Sequence, residues 1–287
     1  MPFESILDVT AGGPLEATDS AYHSAISDDP FDRWVTGLEA RHLAALTFPE
    51  LSRALRALSS TYVERRSRIG HGGALTGAGK RAAFALYYGP LHYLLVRLIV
   101  QGLPDAARTR STIVDLGCGT GAAGAAWASA CTESPRVVGI DRHPWVLGEA
   151  ARTYAAFGLR ADVRQGDVGT VALPPQSSLV AAFTVNELQD APRDALLSRL
   201  IARARGGDQV LVVEPMSRRV VPWWSRWTEA FAREGGRADE WRFRPALPFI
   251  VSKLDRATGL RHTEMTGRSL WLSSAPRGSA RNSRTDA

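Results

Sequence analysis

The sequence predicts an α/β fold with a doubly wound, mostly parallel sheet of seven strands, preceded by a helical N-terminal cap. Short apolar runs alternate with helical patterns from residue 111 onwards, an order typical of a parallel sheet with helices on both faces. A glycine-rich turn also joins the first apolar run to an alanine-rich helix, as in the strand–turn–helix units of such sheets. The five parallel strands are expected near residues 111–116, 136–140, 161–164, 179–184 and 209–213.

The remaining two strands are expected to form a terminal hairpin. Residues 260–265 and 269–272 supply the strand-like runs, and residues 266–268, which include a glycine, are predicted to form the turn between them. A helix beginning at Trp223 is expected after the fifth strand. The whole chain is then divided into a flexible lead-in, a helical cap, a sheet domain and a disordered tail, at residues 1–25, 26–108, 109–275 and 276–287.

The cap is predicted to consist of three helical segments. One lies at residues 32–46, and a second starts at Pro49 with leucines at spacings of four and three. A third starts at Arg81 and is interrupted at Gly89-Pro90, because proline disrupts a helix interior. The glycine-rich loop 70–80 between the second and third segments is expected to act as a mobile lid.

Two acids flank the glycine-rich turn. Asp115 ends the first apolar run just ahead of Gly117-Cys-Gly-Thr-Gly121, and Asp141 ends the second run, 20 residues after Gly121. Glycines let the backbone approach a ligand closely, and the following helix offers free N–H groups at its start. An acid at the spacing of Asp141 is placed to accept hydrogen bonds from ribose hydroxyls. The pattern therefore predicts a nucleoside site.

Three ligand assignments remain open for this turn. Gly119-Thr-Gly-Ala-Ala-Gly124 matches the dinucleotide pattern, which would indicate an NAD(P)-binding oxidoreductase. A purely structural turn, with Asp115 as its cap, is a second interpretation. Asp115 favours a third, since a carboxylate there would repel a pyrophosphate but suits a ligand with an ammonium group and no phosphate. S-adenosylmethionine (SAM) is such a ligand, and it is the predicted cofactor.

Asp115-Leu-Gly-Cys-Gly-Thr-Gly121 resembles the first motif of the class I SAM-dependent methyltransferases, and Gly139-Ile-Asp141 resembles their second. The resemblance covers roughly residues 110–275 and implies a Rossmann-like methyltransferase fold. It implies that Asp115 and the glycines hold the methionine end of SAM, that Asp141 holds the ribose, and that Asp167 receives the adenine amino group. The cofactor-binding residues expected on these grounds are Asp115, Gly117, Cys118, Gly119, Gly121, Asp141, Arg142, Asp167 and Asn186.

Three residues are candidates for catalysis. Tyr88 and His92 lie close to one face of the third cap helix, and the His92 imidazole could take a proton from an acceptor. Glu187 follows Asn186 at the end of the fourth strand, where ligands of open parallel sheets gather. Packing of Tyr88 and His92 in the helix core is the alternative interpretation. Glu214, at the end of the fifth strand, is a weaker site candidate.

Composition limits the compartment and the partners. Two cysteines, Cys118 and Cys131, indicate neither a disulfide framework nor a cysteine metal site, and they fit a reducing cytoplasm. The apolar stretch 82–103 contains Pro90 and Arg97, which favours a buried helix over a membrane span. The net charge of +6 and a pI of about 9.8 are compatible with an RNA partner. The sequence leaves the oligomeric state open.

We therefore expect a SAM-dependent methyltransferase whose acceptor is a small molecule or the ribosomal RNA of the small subunit. A fainter resemblance to the ribosomal small-subunit methyltransferase-like family rests on Asn186-Glu187-Leu188 and Val213-Glu-Pro215. A non-catalytic SAM-binding or ribosome-assembly protein is the alternative from a different class.

Overall fold

A computed structural model describes residues 28–64, 75–217, 220–260 and 262–273. Its seven strands form one sheet in the order β3-β2-β1-β4-β5-β7-β6. Strands β1 to β5 pair in parallel, and β7 runs antiparallel to both β5 and β6. The predicted seven-stranded, mostly parallel sheet is confirmed. The strands are β1 (Thr112–Leu116), β2 (Arg136–Asp141), β3 (Ala161–Gln165), β4 (Ser178–Ala182), β5 (Gln209–Glu214), β6 (Arg237–Phe243) and β7 (Met265–Ser273).

Helices cover both faces of the sheet, as the doubly wound prediction requires. Neighbouring strand residues alternate between two buried clusters: Ile113 and Val137 face one cluster, and Val114 and Val138 face the other. Such strands are buried on both faces, which explains their continuous apolar runs. The helices are α1 (Pro30–Leu43), α2 (Phe48–Glu64), α3 (Ala78–Ala83), α4 (Gly89–Gly102), α5 (Ala122–Ser129), α6 (Pro144–Ala156), α7 (Asp190–Arg205), α8 (Trp224–Arg233) and α9 (Phe249–Thr258).

The two residue ranges predicted for the terminal hairpin are wrong, although an antiparallel pair of strands does end the sheet. Met265–Ser273 is one continuous strand, and Gly267 pairs with Trp241 inside the ladder instead of forming a turn. The second antiparallel strand is Arg237–Phe243, which forms the sheet edge. Its side chains alternate between exposed and half-buried, so that it carries charged residues and gives a weak apolar signal. Because these side chains are exposed, the apolar pattern does not reveal this strand.

The third cap helix is longer than predicted and is not interrupted. It begins at Ala78, and a π-helical segment, Phe84–Tyr88, joins α3 to α4. The Gly89 N–H bonds to the Phe84 carbonyl, five residues earlier. This wider turn lies directly before Pro90, whose ring would clash with a carbonyl four residues back in a regular α-helix. Residues 70–74 of the predicted lid lie outside the described residues, as do the lead-in 1–25 and the tail 276–287.

The cap shares its core with the sheet domain. The Trp34 indole Nε1 donates to Thr153 Oγ1 of α6 at 3.1 Å in a buried contact. Arg41 forms an ion pair of 2.5 Å with Glu149, whose side chain is 2% exposed. Phe31 stacks on Tyr93 with ring centroids 4.8 Å apart. The predicted boundary at residue 108 therefore separates two segments that pack as one buried cluster.

One helical run among the described residues, Ala78–Gly102, is long and apolar enough to cross a membrane. Of its most apolar 18-residue window, 61% is buried inside the protein. Its apolar side chains, such as Val96 and Ile99, belong to the cluster shared by the cap and the sheet. Packing in this core accounts for its hydropathy.

Candidate active site

A cavity of about 700 Å³ lies between the cap helices and the carboxyl edge of the sheet. Its walls come from α2, the π-helical segment, α4, the turn after β1, the ends of β2 and β4, and the segment after α9. This is the edge at which ligands of open α/β sheets bind. Nine of the predicted site residues line it: Tyr88, His92, Gly117, Cys118, Gly119, Asp141, Arg142, Asn186 and Glu187. Three others, Asp115, Gly121 and Asp167, do not.

The glycine turn brings its backbone to the cavity wall. Gly117, Gly119 and Gly121 have φ angles of +67°, +51° and +81°, a region that favours glycine. A Cβ at Gly117 would lie 2.4 Å from the Thr184 side chain, and one at Gly121 would lie 3.0 Å from the Ala150 backbone. The first and third glycines are thus required for packing. A Cβ at Gly119 would make only ordinary contacts, to a ring that also lines the cavity.

Asp141 is held rigidly at the cavity by the turn itself. Its Oδ2 accepts from the Gly119 N–H at 3.0 Å, and its Oδ1 accepts from the His143 N–H at 2.9 Å. A carboxylate oxygen has two lone pairs, so both oxygens retain the capacity to accept from ribose hydroxyls. The position and the chemistry both fit the predicted role of Asp141.

Asp115 supports the turn from below. Its side chain is 1% exposed, and its Oδ2 accepts from the Gly124 N–H at 2.8 Å and from the Tyr154 hydroxyl at 3.1 Å. Burial raises the pKa of Asp115 to about 7, although both hydrogen bonds favour its ionised form. The carboxylate therefore anchors the start of α5 and does not face the cavity. The contact with the methionine end of SAM stays a prediction for Asp115.

Asp167 also lies just outside the cavity wall, which Val168 completes. Its carboxylate pairs with Arg142 and accepts from the Gly169 N–H at 2.7 Å. Burial opposes ionisation, but these two contacts outweigh it and hold the pKa of Asp167 below its ordinary value. The adenine contact stays a prediction for Asp167. Its observed role is to fix Arg142 at the cavity.

The end of β4 is shaped by a buried acid on β5. Glu214 is fully buried, and its Oε1 accepts from the N–H groups of Val185 and Asn186 at 2.9 and 3.2 Å. Its Oε2 accepts from the Asn186 side-chain amide. Burial raises the pKa of Glu214 to about 8 against these hydrogen bonds. Phe183, just before this turn, has φ +59°, a strained value for a bulky residue and one that ends the strand earlier than predicted.

Aromatic rings line the cap side of the cavity. The His92 ring stacks on Phe183 with centroids 3.9 Å apart and an interplanar angle of 15°. The Tyr88 hydroxyl lies 3.0 Å from Ser59 Oγ of α2, and Phe84 lies beside Tyr88. Tyr88 and His92 thus face the predicted cavity, and π-helical turns of this kind occur often at functional sites.

Sequence reasoning missed a polar cluster at the same cavity. His262 lines the wall and its Nδ1 lies 2.6 Å from Asp255 Oδ1. The Tyr87 hydroxyl donates to the same oxygen at 2.6 Å. Tyr87 is 168 residues from Asp255 and 175 from His262, so no local motif could have connected them.

Comparison with known proteins agrees with this geometry. Residues 113–207 match the family model of a methyltransferase domain. The carboxy-S-adenosyl-L-methionine synthase of Sodalis glossinidius is 30% identical over 114 residues, which cover 39% of this chain and 46% of that enzyme. The chain thus matches less than half the length of this curated relative.

Two solved structures show a similar arrangement of the chain. The mitomycin 7-O-methyltransferase MmcR is 14% identical with a TM-score of 0.48, covering 86% of this chain and 73% of that one. The O-methyltransferase NcsB1 from neocarzinostatin biosynthesis, in complex with SAM and 2-hydroxy-5-methyl naphthoic acid, is 18% identical with a TM-score of 0.47. That match covers 84% of this chain and 71% of the other.

Residues 113–207 are thus a methyltransferase domain, and SAM is the cofactor of such domains. The residues fit this ligand. Asp141 presents a fixed carboxylate, Gly119 leaves room beside the backbone, and Ala122 and Ala123 at the start of α5 line the cavity. The dinucleotide interpretation of the turn is therefore not retained.

Proposed function

We propose that this protein transfers the methyl group of SAM to a small aromatic acceptor, which is held between the cap helices and the carboxyl ends of the parallel strands. The observation that carries the proposal is the aromatic wall next to the glycine turn. Phe84, Tyr88, His92 and Phe183 present ring surfaces to one cavity that also contains Asp141. Such walls hold planar apolar ligands through stacked or edge-to-face contacts.

The charge of the cavity favours a small molecule over RNA. Among the described residues that line it, Arg142 is the one lysine or arginine, and it is paired with Asp167. RNA binding depends on free basic side chains that contact phosphates. Several exposed arginines elsewhere are also paired with acids, including Arg205 with Glu234 and Arg226 with Asp194. These arginines are thus engaged with acids and are not free to contact phosphates.

The chain contributes binding and positioning. When bound, SAM supplies a methyl group attached to a positively charged sulfur, and this sulfur is a good leaving group. Asp141 and the glycine turn fix the nucleoside end, and Glu214 fixes the turn that presents Asn186 to the cavity. The rings of the cap hold the acceptor in line, and this ordering removes much of the entropic barrier to a two-substrate reaction.

Isotopically labelled SAM tests the proposal directly. We expect label to enter members of a panel of phenols, aromatic amines and aromatic thiols, with S-adenosylhomocysteine as the second product. Small ribosomal subunits serve as the parallel RNA acceptor. Label in RNA alone, or SAM binding with no transfer to any acceptor, would contradict the proposal. Mass spectrometry of the nucleoside products would reveal a carboxylated SAM, the product that the name of the curated relative describes.

A further inference from the structure

We propose that His262 is the general base that takes the proton from a hydroxyl on the acceptor, with Asp255 and Tyr87 as its positioning residues. The inference rests on the proposed function and makes it more specific. It assigns the acceptor to the hydroxyl-bearing aromatic compounds, and it places the proton acceptor on the segment after α9.

The carboxylate of Asp255 holds the imidazole from two directions. Oδ2 accepts from the His262 backbone N–H at 2.8 Å, and Oδ1 lies 2.6 Å from the ring Nδ1. The Asp255 side chain is 8% exposed, whereas that of His262 is 41% exposed and lines the cavity. A carboxylate on one ring nitrogen orients the ring and stabilises its protonated form. The other nitrogen, Nε2, is then available to an acceptor.

The proton inventory of the cluster fits this assignment. Burial opposes ionisation of Asp255, but the hydrogen bonds from His262 and Tyr87 outweigh it and lower the pKa of that carboxyl. Burial, followed by the contact with Asp255, raises the pKa of Tyr87 far above its ordinary value, so Tyr87 keeps its proton and donates it. An ionised Asp255 accepts the Nδ1 proton of a neutral His262, and this tautomer leaves a lone pair on Nε2. Tyr88, which contacts Tyr87 edge to face, is the other titratable neighbour.

His92 has a different environment in the same cavity. Its ring lies against the face of Phe183, in the aromatic wall. The ring of His262 lies against the buried carboxylate of Asp255, which is the arrangement that activates a base. This contact assigns the proton transfer to His262, and the place of His92 in the aromatic wall assigns it the contact with the acceptor ring.

The proposed step balances in atoms and electrons. The acceptor O–H bond breaks and its proton moves to Nε2 of His262. An electron pair on the oxygen forms the bond to the methyl carbon, and the carbon–sulfur bond breaks with its pair remaining on sulfur. The positive charge that was on sulfur is then on the imidazolium, next to the carboxylate of Asp255. Solvent afterwards receives the proton from the exposed edge of His262.

Two acceptors of different acidity test the assignment in the full-length protein. We expect His262→Ala to lower kcat for 2-naphthol by about 10²- to 10⁴-fold, the usual contribution of a general base. The loss should be much smaller for 4-nitrophenol, which ionises without a base at mildly alkaline pH. Calorimetry should show that the SAM dissociation constant changes by less than about threefold, which confirms a folded cofactor site.

Asp255→Asn tests whether the Asp255 carboxylate acts through His262 or only stabilises the fold. Loss of the carboxylate should lower kcat for 2-naphthol much more than for 4-nitrophenol, because the imidazole loses the group that orients it. Asp194→Asn, at a half-buried aspartate of α7, is the matched control and should leave kcat for both acceptors unchanged.

Equal losses for 2-naphthol and 4-nitrophenol, wild-type kcat in His262→Ala, or methylation of amines and thiols but no phenol would overturn the inference while leaving the proposed function intact. Failure of the wild-type protein to methylate any member of the panel would instead overturn the proposed function.

Discussion

The carboxylate of Glu214 and the side-chain amide of Asn186 are hydrogen-bonded at the base of the cavity, although they lie 28 residues apart in the chain. Glu214 ends β5 and has no exposed surface, whereas Asn186 lines the cavity. Two parallel strands thus cooperate: one ends in an acid, and that acid shapes the turn at the end of the other. The buried carboxylate acts through the residue that it holds.

Glu214→Gln should disturb this arrangement without removing volume. The substitution replaces one carboxylate oxygen by an NH₂ group. That group would face an N–H donor of Val185 or Asn186. Above pH 8, where Glu214 is ionised in the folded protein, we expect kcat to fall by about 10- to 100-fold through misplacement of the turn, and the free energy of unfolding to fall by about 1–3 kcal/mol. Steady-state kinetics and urea unfolding measure the two effects. Glu229→Gln, at an exposed position on α8, should change neither.

Asp115 should make stability depend on pH in a defined window. Its pKa is about 7 in the folded protein against an ordinary value of 3.8, so the folded state holds a proton that the unfolded chain releases. The favourable contribution is complete below the unfolded pKa and is lost as pH rises towards 7. Urea unfolding at several pH values should therefore show stability falling across this window. In Asp115→Asn that component of the slope should be absent, and an unchanged slope would contradict the account.

Three glycine substitutions separate backbone strain from packing in the turn. Gly158→Ala, at φ +64° with open space around it, should cost only the strain of about 1 kcal/mol. Gly121→Ala has similar strain but also drives a Cβ against Ala150, so we expect a further loss of about 1–3 kcal/mol. Gly119→Ala should resemble Gly158→Ala in stability yet weaken SAM binding. Thermal unfolding and calorimetry distinguish these outcomes, and equal stability losses for all three variants would show that packing is unimportant.

The joint core of cap and sheet predicts that they unfold together. Trp34→Ala removes a buried ring and leaves Thr153 without its indole donor, so we expect a loss of about 3–5 kcal/mol. Hydrogen exchange should show α1 and α6 losing protection together in this variant. Faster exchange in α1 alone, with α6 unchanged, would indicate that the cap opens as an independent unit.

Local patterns were enough to predict the sheet and the cofactor turn. Buried parallel strands give continuous apolar runs, and the glycines and Asp141 lie within one strand–turn–helix–strand unit. The edge strand β6 was missed because half of its side chains face solvent. The bond from the Gly124 N–H to Asp115 could not be predicted, because the position of Asp115 in the sequence does not reveal the direction of its carboxylate.

Contacts between distant segments could not be predicted in the same way. Tyr87, Asp255 and His262 meet only because the π-helical segment packs against α9. A π-turn has no reliable sequence signal beyond the proline that follows it. Glu214 was a weak candidate for the same reason, since its role depends on the register between β4 and β5.

Calorimetric titration with SAM tests the central claim most directly. We expect the wild-type protein to bind SAM and S-adenosylhomocysteine, and Asp141→Asn to weaken both by about 1–3 kcal/mol, because charge-assisted hydrogen bonds to the ribose are lost. Asp162→Asn, at a half-buried position on β3 that pairs with Arg136, is the matched control and should bind as the wild type does. Binding of NADH without binding of SAM, or equal SAM affinity in the wild-type protein and Asp141→Asn, would contradict the account.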